Sequence, residues 1–154
     1  MVARGLLALL MAALLFLVTP AVRAEESSQC HTLSDRQVEA LFARWNTALA
    51  SGDPEQVSAL YNSDALLLPT LSGVARTDPE GIEDYFQGFL AHDPTGRIDQ
   101  RVIFSDCNVA IDAGNYSFQL DHKGWVQARY TFVYEYRDGD WKIEHHHSSL
   151  LPSS

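Results

Sequence analysis

Three consecutive histidines, His145, His146 and His147, sit near the C-terminus in the run WKIEHHHSSLLP and make up half of the six in the chain. Imidazoles in a row suit a metal site, an acid/base pair or a polar strand end. On a strand, successive side chains point to opposite faces, so His145 and His147 point one way and His146 the other. The run therefore is not one three-histidine site. Zinc needs three or four converging ligands. His145 and His147 would need further ligands, such as His122 or an aspartate. The two cysteines lack the close spacing of a zinc knuckle, so no metal site is assigned. His146 is the better candidate for chemistry. By strand parity it shares a face with Glu144 and Ser148. A carboxylate two residues away would tune an imidazole that titrates near neutrality, so His146 and Glu144 form the candidate acid/base pair. Ser148 and Ser149 are weak nucleophile candidates. Strand geometry separates neighbours, and no G-x-S-x-G elbow is present. There is no glycine-rich phosphate loop or dinucleotide fingerprint, so no cofactor is expected and an oxidoreductase reading lacks a binding motif.

The elements that must position these residues follow from the hydrophobic period. Ser34 with Gln37 forms a capping box, and Leu33 and Val38 take the staple positions. Val38, Leu41, Phe42, Trp45 and Leu49 then repeat at helical spacing up to Gly52. Asp53-Pro54 starts a short second helix, with Val57, Leu60 and Tyr61 facing inward. The apolar stretch DALLLPTL predicts a strand stopped by Pro69. Asp78-Pro79 opens a third helix with Ile82, Tyr85, Phe86, Phe89 and Leu90 as its stripe, and Asp93-Pro94 closes it. From Gly96 the period becomes two. RIDQRVIF places Ile98, Gln100, Val102 and Phe104 opposite Asp99, Arg101 and Ile103. NYSFQL alternates Tyr116, Phe118 and Leu120 with polar residues. VQARYTFVYEY puts Val126, Ala128, Tyr130, Phe132, Tyr134 and Tyr136 on one face, against Gln127, Arg129, Thr131, Val133 and Glu135. Asp138-Gly139 predicts a hairpin turn into the last strand. Helices first and an antiparallel meander second imply an α+β domain.

The N-terminus carries other information. Arg4 precedes an apolar run from Leu6 to Val18, Pro20 breaks it, and Val22-Arg23-Ala24 has a cleavage-site pattern. This is the layout of a secretory signal peptide over residues 1–24, and the run is short for a membrane span. Residues 25–33 form a tail, and 34–152 the domain. The formal charge is -9 over 154 residues. Removing Arg4 and Arg23 with the leader makes the mature chain two charges more acidic. Such a surface repels phosphate backbones and anionic lipid, so nucleic acid and, after cleavage, membrane are not expected partners. In an oxidising compartment Cys30 and Cys107 either form a disulfide or remain two thiols, with Cys107 a small core residue.

The segments RWNTALASGDPEQVSALYNSDALLLPTLSG, RTDPEGIEDYFQGFL, DCNVAIDAGNYSF and ARYTFVYEYRDGDWKIEHHHSSLLP together resemble a bacterial relative of the association (hub) domain of calcium/calmodulin-dependent protein kinase II. This places the chain in the wider nuclear-transport-factor-2-like, or SnoaL-like, group. The stretch from Trp141 through Ser149 to Pro152 is the most specific part. The resemblance implies a cone-shaped, cystatin-like α+β barrel whose curved antiparallel sheet wraps a long helix and leaves a pocket. It also implies a homodimer through the sheet, or a larger ring. Members of the group include isomerases, dehydratases, ligand-binding modules and structural modules, and some bacterial relatives carry an oxidoreductase label. The fold therefore does not settle function. The positions that match the hub's pocket arginines are Phe132 and Ser148, so a carboxylate clamp is not carried over. No kinase domain is present, and no basic amphipathic helix of the kind calmodulin prefers.

These readings converge on a secreted or periplasmic dimeric domain that binds a small, mostly apolar molecule or serves as an assembly module. Trp45, Tyr85, Tyr130, Phe132, Tyr134 and Ser148 are its candidate pocket residues. The alternative is a cofactor-independent isomerase or hydratase using His146 with Glu144. Arg129, Thr131, Val133 and Glu135 form the candidate dimer face; with the faces reversed, Arg129 becomes an anion anchor in the pocket. N-terminal sequencing of extracytoplasmic protein is expected to read from Glu25, and an intact Met1 on soluble cytoplasmic protein would refute export.

Overall fold

The computed structural model describes residues 29–121 and 123–152. The signal-peptide reading of residues 1–24 and the part given to His122 lie outside them. Among the described residues no helix is long and apolar enough to cross a membrane. The element order is α1 Asp35–Ala50, α2 Pro54–Ser58, β1 Tyr61–Leu68, α3 Pro79–Leu90, β2 Thr95–Asp106, β3 Val109–Leu120, β4 Gly124–Arg137 and β5 Asp140–Leu150.

Helix α1 starts where its capping residues require. The side-chain oxygen of Gln37 accepts from the Ser34 amide at 2.9 Å, and the Gln37 amide donates to the Ser34 carbonyl. Val38, Phe42, Trp45 and Leu49 are buried along one stripe. Asp53 and Asp78 cap α2 and α3, each with proline at the first position, and accept from Gln56 and Gly81 amides among others. Tyr61 is not part of the second helix. α2 ends at Ser58, and Tyr61 opens β1.

The five strands form one sheet in the order β1-β5-β4-β3-β2. It is antiparallel except for β1, which runs parallel to β5. Helices followed by a mostly antiparallel sheet make the α+β domain expected, and the sheet is open. Its two edges are covered rather than joined. At β2 the Asn46 side chain of α1 acts as a substitute strand, donating to the Gly96 carbonyl and accepting from the Gly96 amide, both at 2.9 Å. At β1, Leu67 exchanges backbone bonds of 2.8 and 2.9 Å with Arg76 from the following loop. Both contacts satisfy edge groups that would otherwise invite another chain.

Two register shifts reset the predicted faces. One lies between Ile98 and Gln100 of β2. Past this bulge the inward residues are Arg101 and Ile103, while Val102 and Phe104 are 56% and 63% exposed. The expected sharing of one face by Ile98, Val102 and Phe104 therefore fails. Gly114 lies opposite this site. A Cβ there would stand 2.0 Å from the Gln100 carbonyl oxygen, so only glycine lets the strands close. The other shift falls between Val133 and Tyr134 of β4 as they face β5, where Ile143 pairs with Tyr134 and His145 with Val133, leaving Glu144 as the extra residue. Strand β3 is also longer than NYSFQL suggested. It begins at Val109, after a tight turn in which Asn108 takes φ 59°.

The described part of the tail is pinned at Cys30 and His31. Cys30 and Cys107 are joined in a disulfide with their Cα atoms 4.9 Å apart. The His31 amide donates to Asn108 Oδ1 at 2.8 Å, and the His31 ring stacks on Tyr136 at 3.9 Å. The bridge spans 77 positions. Closing a loop of that length in the unfolded chain stabilises the fold by about 4 kcal/mol on loop-entropy grounds. We expect the Cys30→Ser, Cys107→Ser double variant to lose about that much in urea unfolding, and an unchanged midpoint would show that the bridge contributes nothing.

Candidate functional site

The core lies between the inner sheet face and the helices. At its centre the Trp45 ring meets Phe86, Phe118, Phe132 and His146 edge-on at 5.2–6.2 Å. Toward the β1–α3 loop this packing stops short and leaves a cavity of about 40 Å³. Its walls are mostly apolar: Leu67, Phe86, Phe89, Phe118, Leu120, Val126 and Ala128. Its polar groups are those of Trp45, Thr70, Tyr85, Tyr116, His146 and Ser148. No arginine, lysine or carboxylate is among the described residues that line it.

His146 is 3% exposed and stacks on Phe132 at 4.0 Å. Its Nδ1 lies 2.9 Å from the Tyr61 hydroxyl, and its Nε2 lies 3.5 Å from the Tyr116 hydroxyl. The tautomer follows from the neighbours. Trp45 Nε1 donates to the Tyr61 oxygen at 3.1 Å, and an indole N–H can only donate. The Tyr61 hydroxyl hydrogen has no acceptor among the described residues other than Nδ1, so Tyr61 donates there and the hydrogen of His146 lies on Nε2, facing Tyr116. Tyr116 donates to Ser148 Oγ, and Ser148 Oγ is hydrogen-bonded to Thr70 Oγ1. Burial pushes the phenols of Tyr61 and Tyr116 well up, so both keep the protons this order needs. Burial also pulls His146 down to about 3, and the charges of His145 and His147 add to the effect. The imidazole is therefore neutral at physiological pH.

Glu144 does not join it. As the bulged residue of β5, it turns to the outer face, where its Oε2 accepts from Asn62 Nδ2 at 2.8 Å and from Arg137 Nη2. Arg137 also binds Asp64 and Glu135. The proposed His146–Glu144 pair is thus split between the two sides of the sheet, because the bulge moves Glu144 out of phase with His146.

Of the other expected pocket residues, Trp45, Tyr85 and Ser148 line the cavity. Burial raises the Tyr85 phenol to about 12. Tyr130, Phe132 and Tyr134 share the inner face and are buried, but they lie outside the cavity lining. Phe132 fills the space between Trp45 and His146. Tyr130 donates to Asp112 at 2.7 Å. Asp112 is fully buried and takes a bidentate pair of bonds from Arg101 at 3.0 and 2.9 Å. Two tyrosines, Tyr61 and Tyr116, and the ion pair Asp112–Arg101 were thus absent from the site expected from sequence. Strand parity carried a signal for two of them, since Asp112 and Tyr116 are in phase with Phe118 and Leu120. Arg129, Thr131, Val133 and Glu135 lie on the outer face, away from the helices, and His147 and His145 pair with Thr131 and Val133. Arg129 is therefore no pocket anchor. Among the described residues no group of three or more metal-ligating side chains converges.

The sequence model for the calcium/calmodulin dependent protein kinase II association domain matches residues 34–152. The chain belongs to that family. A crystal structure from Xanthomonas campestris, assigned to the same association domain, is 50% identical. The match covers 79% of this chain and 91% of that one, with a TM-score of 0.75. More distant likenesses show the fold alone. A nuclear-transport-factor-2-like protein of unknown function from Pseudomonas putida is 16% identical over 74% of this chain and 84% of its own, at TM-score 0.66. A Parabacteroides distasonis protein assigned as a ketosteroid isomerase is 22% identical over 73% and 86%, at TM-score 0.61. No curated protein matches. Membership of the association-domain family fits the order of helices and strands, while the cavity of this member is lined by hydroxyls and a neutral imidazole.

The imidazole's state is open to measurement. A folded pKa near 3, against an ordinary value of 6.5, means the unfolded chain binds more protons at this site between those pH values. Stability from His146 is therefore complete above about pH 6.5 and is lost as pH falls toward 3, by roughly 1.4 kcal/mol per unit. We expect the His146 ring resonances to stay fixed from pH 8 to 5 in the folded protein. A titration midpoint near neutrality would overturn the assignment.

Proposed function

We propose that the mature chain is an extracytoplasmic homodimer that binds a small, mostly apolar molecule between its sheet and helices and does not use His146 for acid/base catalysis. The state of His146 carries this reading. A general base works best with a pKa near the operating pH. Here the imidazole is held neutral, Nδ1 is occupied by Tyr61, and the nearest candidate carboxylate faces the other side of the sheet. What remains is a shaped apolar cavity with a few polar groups, the usual make-up of a small-molecule site.

The leader and the Cys30–Cys107 bridge both support an oxidising, extracytoplasmic setting. Dimerisation is supported by the association-domain family and by the outer face. Exposed Val102 and Phe104 continue there into Ile111 and Val133, and an apolar stripe of this kind favours a covering partner. The isomerase or hydratase alternative has less support, since likeness to an isomerase at 22% identity concerns the fold.

Native mass spectrometry of protein purified from the extracytoplasmic fraction tests the reading. We expect a dimer mass with a small organic molecule retained. A monomer at micromolar concentration would refute the dimer. Ligands found by thermal shift should come back chemically unchanged; a ligand converted by wild type and not by folded His146→Gln would establish the enzyme instead.

A further inference from the structure

We propose that the cavity takes an uncharged molecule with an apolar body and one hydrogen-bond acceptor oxygen, such as a ketone, aldehyde or ester carbonyl, docked on the Ser148–Thr70 hydroxyl pair. This rests on the binding reading above and names the chemical class of its ligand.

The argument is a count of hydrogens. Trp45 Nε1 donates to Tyr61, the Tyr61 hydrogen has no acceptor among the described residues but His146 Nδ1, and this sets the direction of the chain through His146 and Tyr116 to Ser148 and Thr70. Beyond Nδ1, four hydrogens remain: His146 Nε2–H and the hydroxyls of Tyr116, Ser148 and Thr70. Only three bonds join these groups. One hydroxyl hydrogen is therefore left over on the Ser148–Thr70 pair, and neither side chain makes another hydrogen bond among the described residues. Both line the cavity. The site thus offers a donor and asks for an acceptor.

The rest of the wall sets the charge. A carboxylate buried here would have no cation to pair with, and an unpaired charge in apolar surroundings is strongly disfavoured. Arg76 lines an adjoining groove that shares Leu71, Tyr85 and Phe89 with the cavity, and its Nη2 is 3.2 Å from Asp84 Oδ2. A protonated amine is disfavoured equally, since the cavity has no carboxylate.

The test uses three monocyclic probes of similar size on the folded mature protein: acetophenone, ethylbenzene and benzoate. Affinities come from amide-detected NMR titration. Comparing the ketone-to-hydrocarbon affinity ratio between wild type and the Thr70→Val, Ser148→Ala double variant cancels the differing hydration of the two probes. We expect that ratio to fall at least fivefold in the double variant, because both hydroxyls of the docking pair are then gone. Either single variant leaves a free hydroxyl hydrogen on the remaining partner and should keep the ratio within about twofold; if the double variant does not fold, a downfield shift of the carbonyl carbon of labelled acetophenone bound to wild type reads the same contact. Benzoate should bind at least tenfold more weakly than acetophenone. A ratio unchanged in the double variant, or a bound carbonyl with no downfield shift, would overturn the acceptor assignment while leaving the binding module intact. Benzoate binding tightest would overturn it too, and would point to Arg76. If none of the probes binds, the binding reading falls and this inference with it.

Discussion

The indole N–H of Trp45 is a donor with nowhere to go but Tyr61, and the polar interior of the domain is ordered around that fact. Tyr61 accepts from the indole, and its own hydrogen has no acceptor among the described residues but His146 Nδ1. His146 must then hold its hydrogen on Nε2, and the hydroxyls beyond must follow in sequence. The ring that carries this donor also sits at the centre of the aromatic packing that joins α1, α3 and the sheet. One side chain thus fixes the core's geometry and starts its hydrogen-bond chain. Leaving any middle member of such a chain unpaired exposes a buried polar group to its full desolvation cost, on the order of 1–3 kcal/mol. A satisfied chain of this kind therefore favours one arrangement over its alternatives.

The frame that holds the chain was legible in the sequence for identifiable reasons. Capping at Ser34, Asp53 and Asp78 and the apolar stripe from Val38 to Leu49 place the helices where they are found. The alternation from Val126 to Tyr136 gives the inner face of β4 correctly, because the extra residue of the β4–β5 shift belongs to β5 and β4 itself has no bulge. The disulfide was left open, since residue spacing says nothing about whether two cysteines meet, and folding brings Cys30 beside the β2–β3 turn.

The site was legible only in part, and the losses share a cause. A bulge inserts one residue and reverses every later parity assignment on its strand. At β5 it moved Glu144 away from His146, and at β2 it turned Arg101 inward to meet Asp112. Tyr61 was lost to the neighbouring helix because its apolar ring fits a helical stripe as well as a strand start. No periodicity rule marks where a strand will bulge. What marks it in the folded protein is the partner. The irregular pairing of β1 with β5 between Tyr61 and Leu66 accompanies the outer cluster of Asn62, Asp64, Arg137 and Glu144, and Gly114 makes room for the Gln100 carbonyl.

The two ends of the inner face have consequently come to differ. Near α1, Asp112 and Arg101 bury opposite charges together, and the pair needs good geometry and added hydrogen bonds to offset its desolvation. It has both, in the bidentate contact and the Tyr130 hydroxyl. Near the β1–α3 loop the polar groups are all neutral, and they end in a cavity instead of a closed pair. Charge placed in the closed end makes it rigid and self-sufficient. Neutral hydroxyls at the open end can exchange one partner for another at low cost, because a hydrogen bond lost to one acceptor is regained from the next. The family frame is common to both ends, so the difference in chemistry comes from the residues at a few inward positions, Ser148 and Phe132 among them.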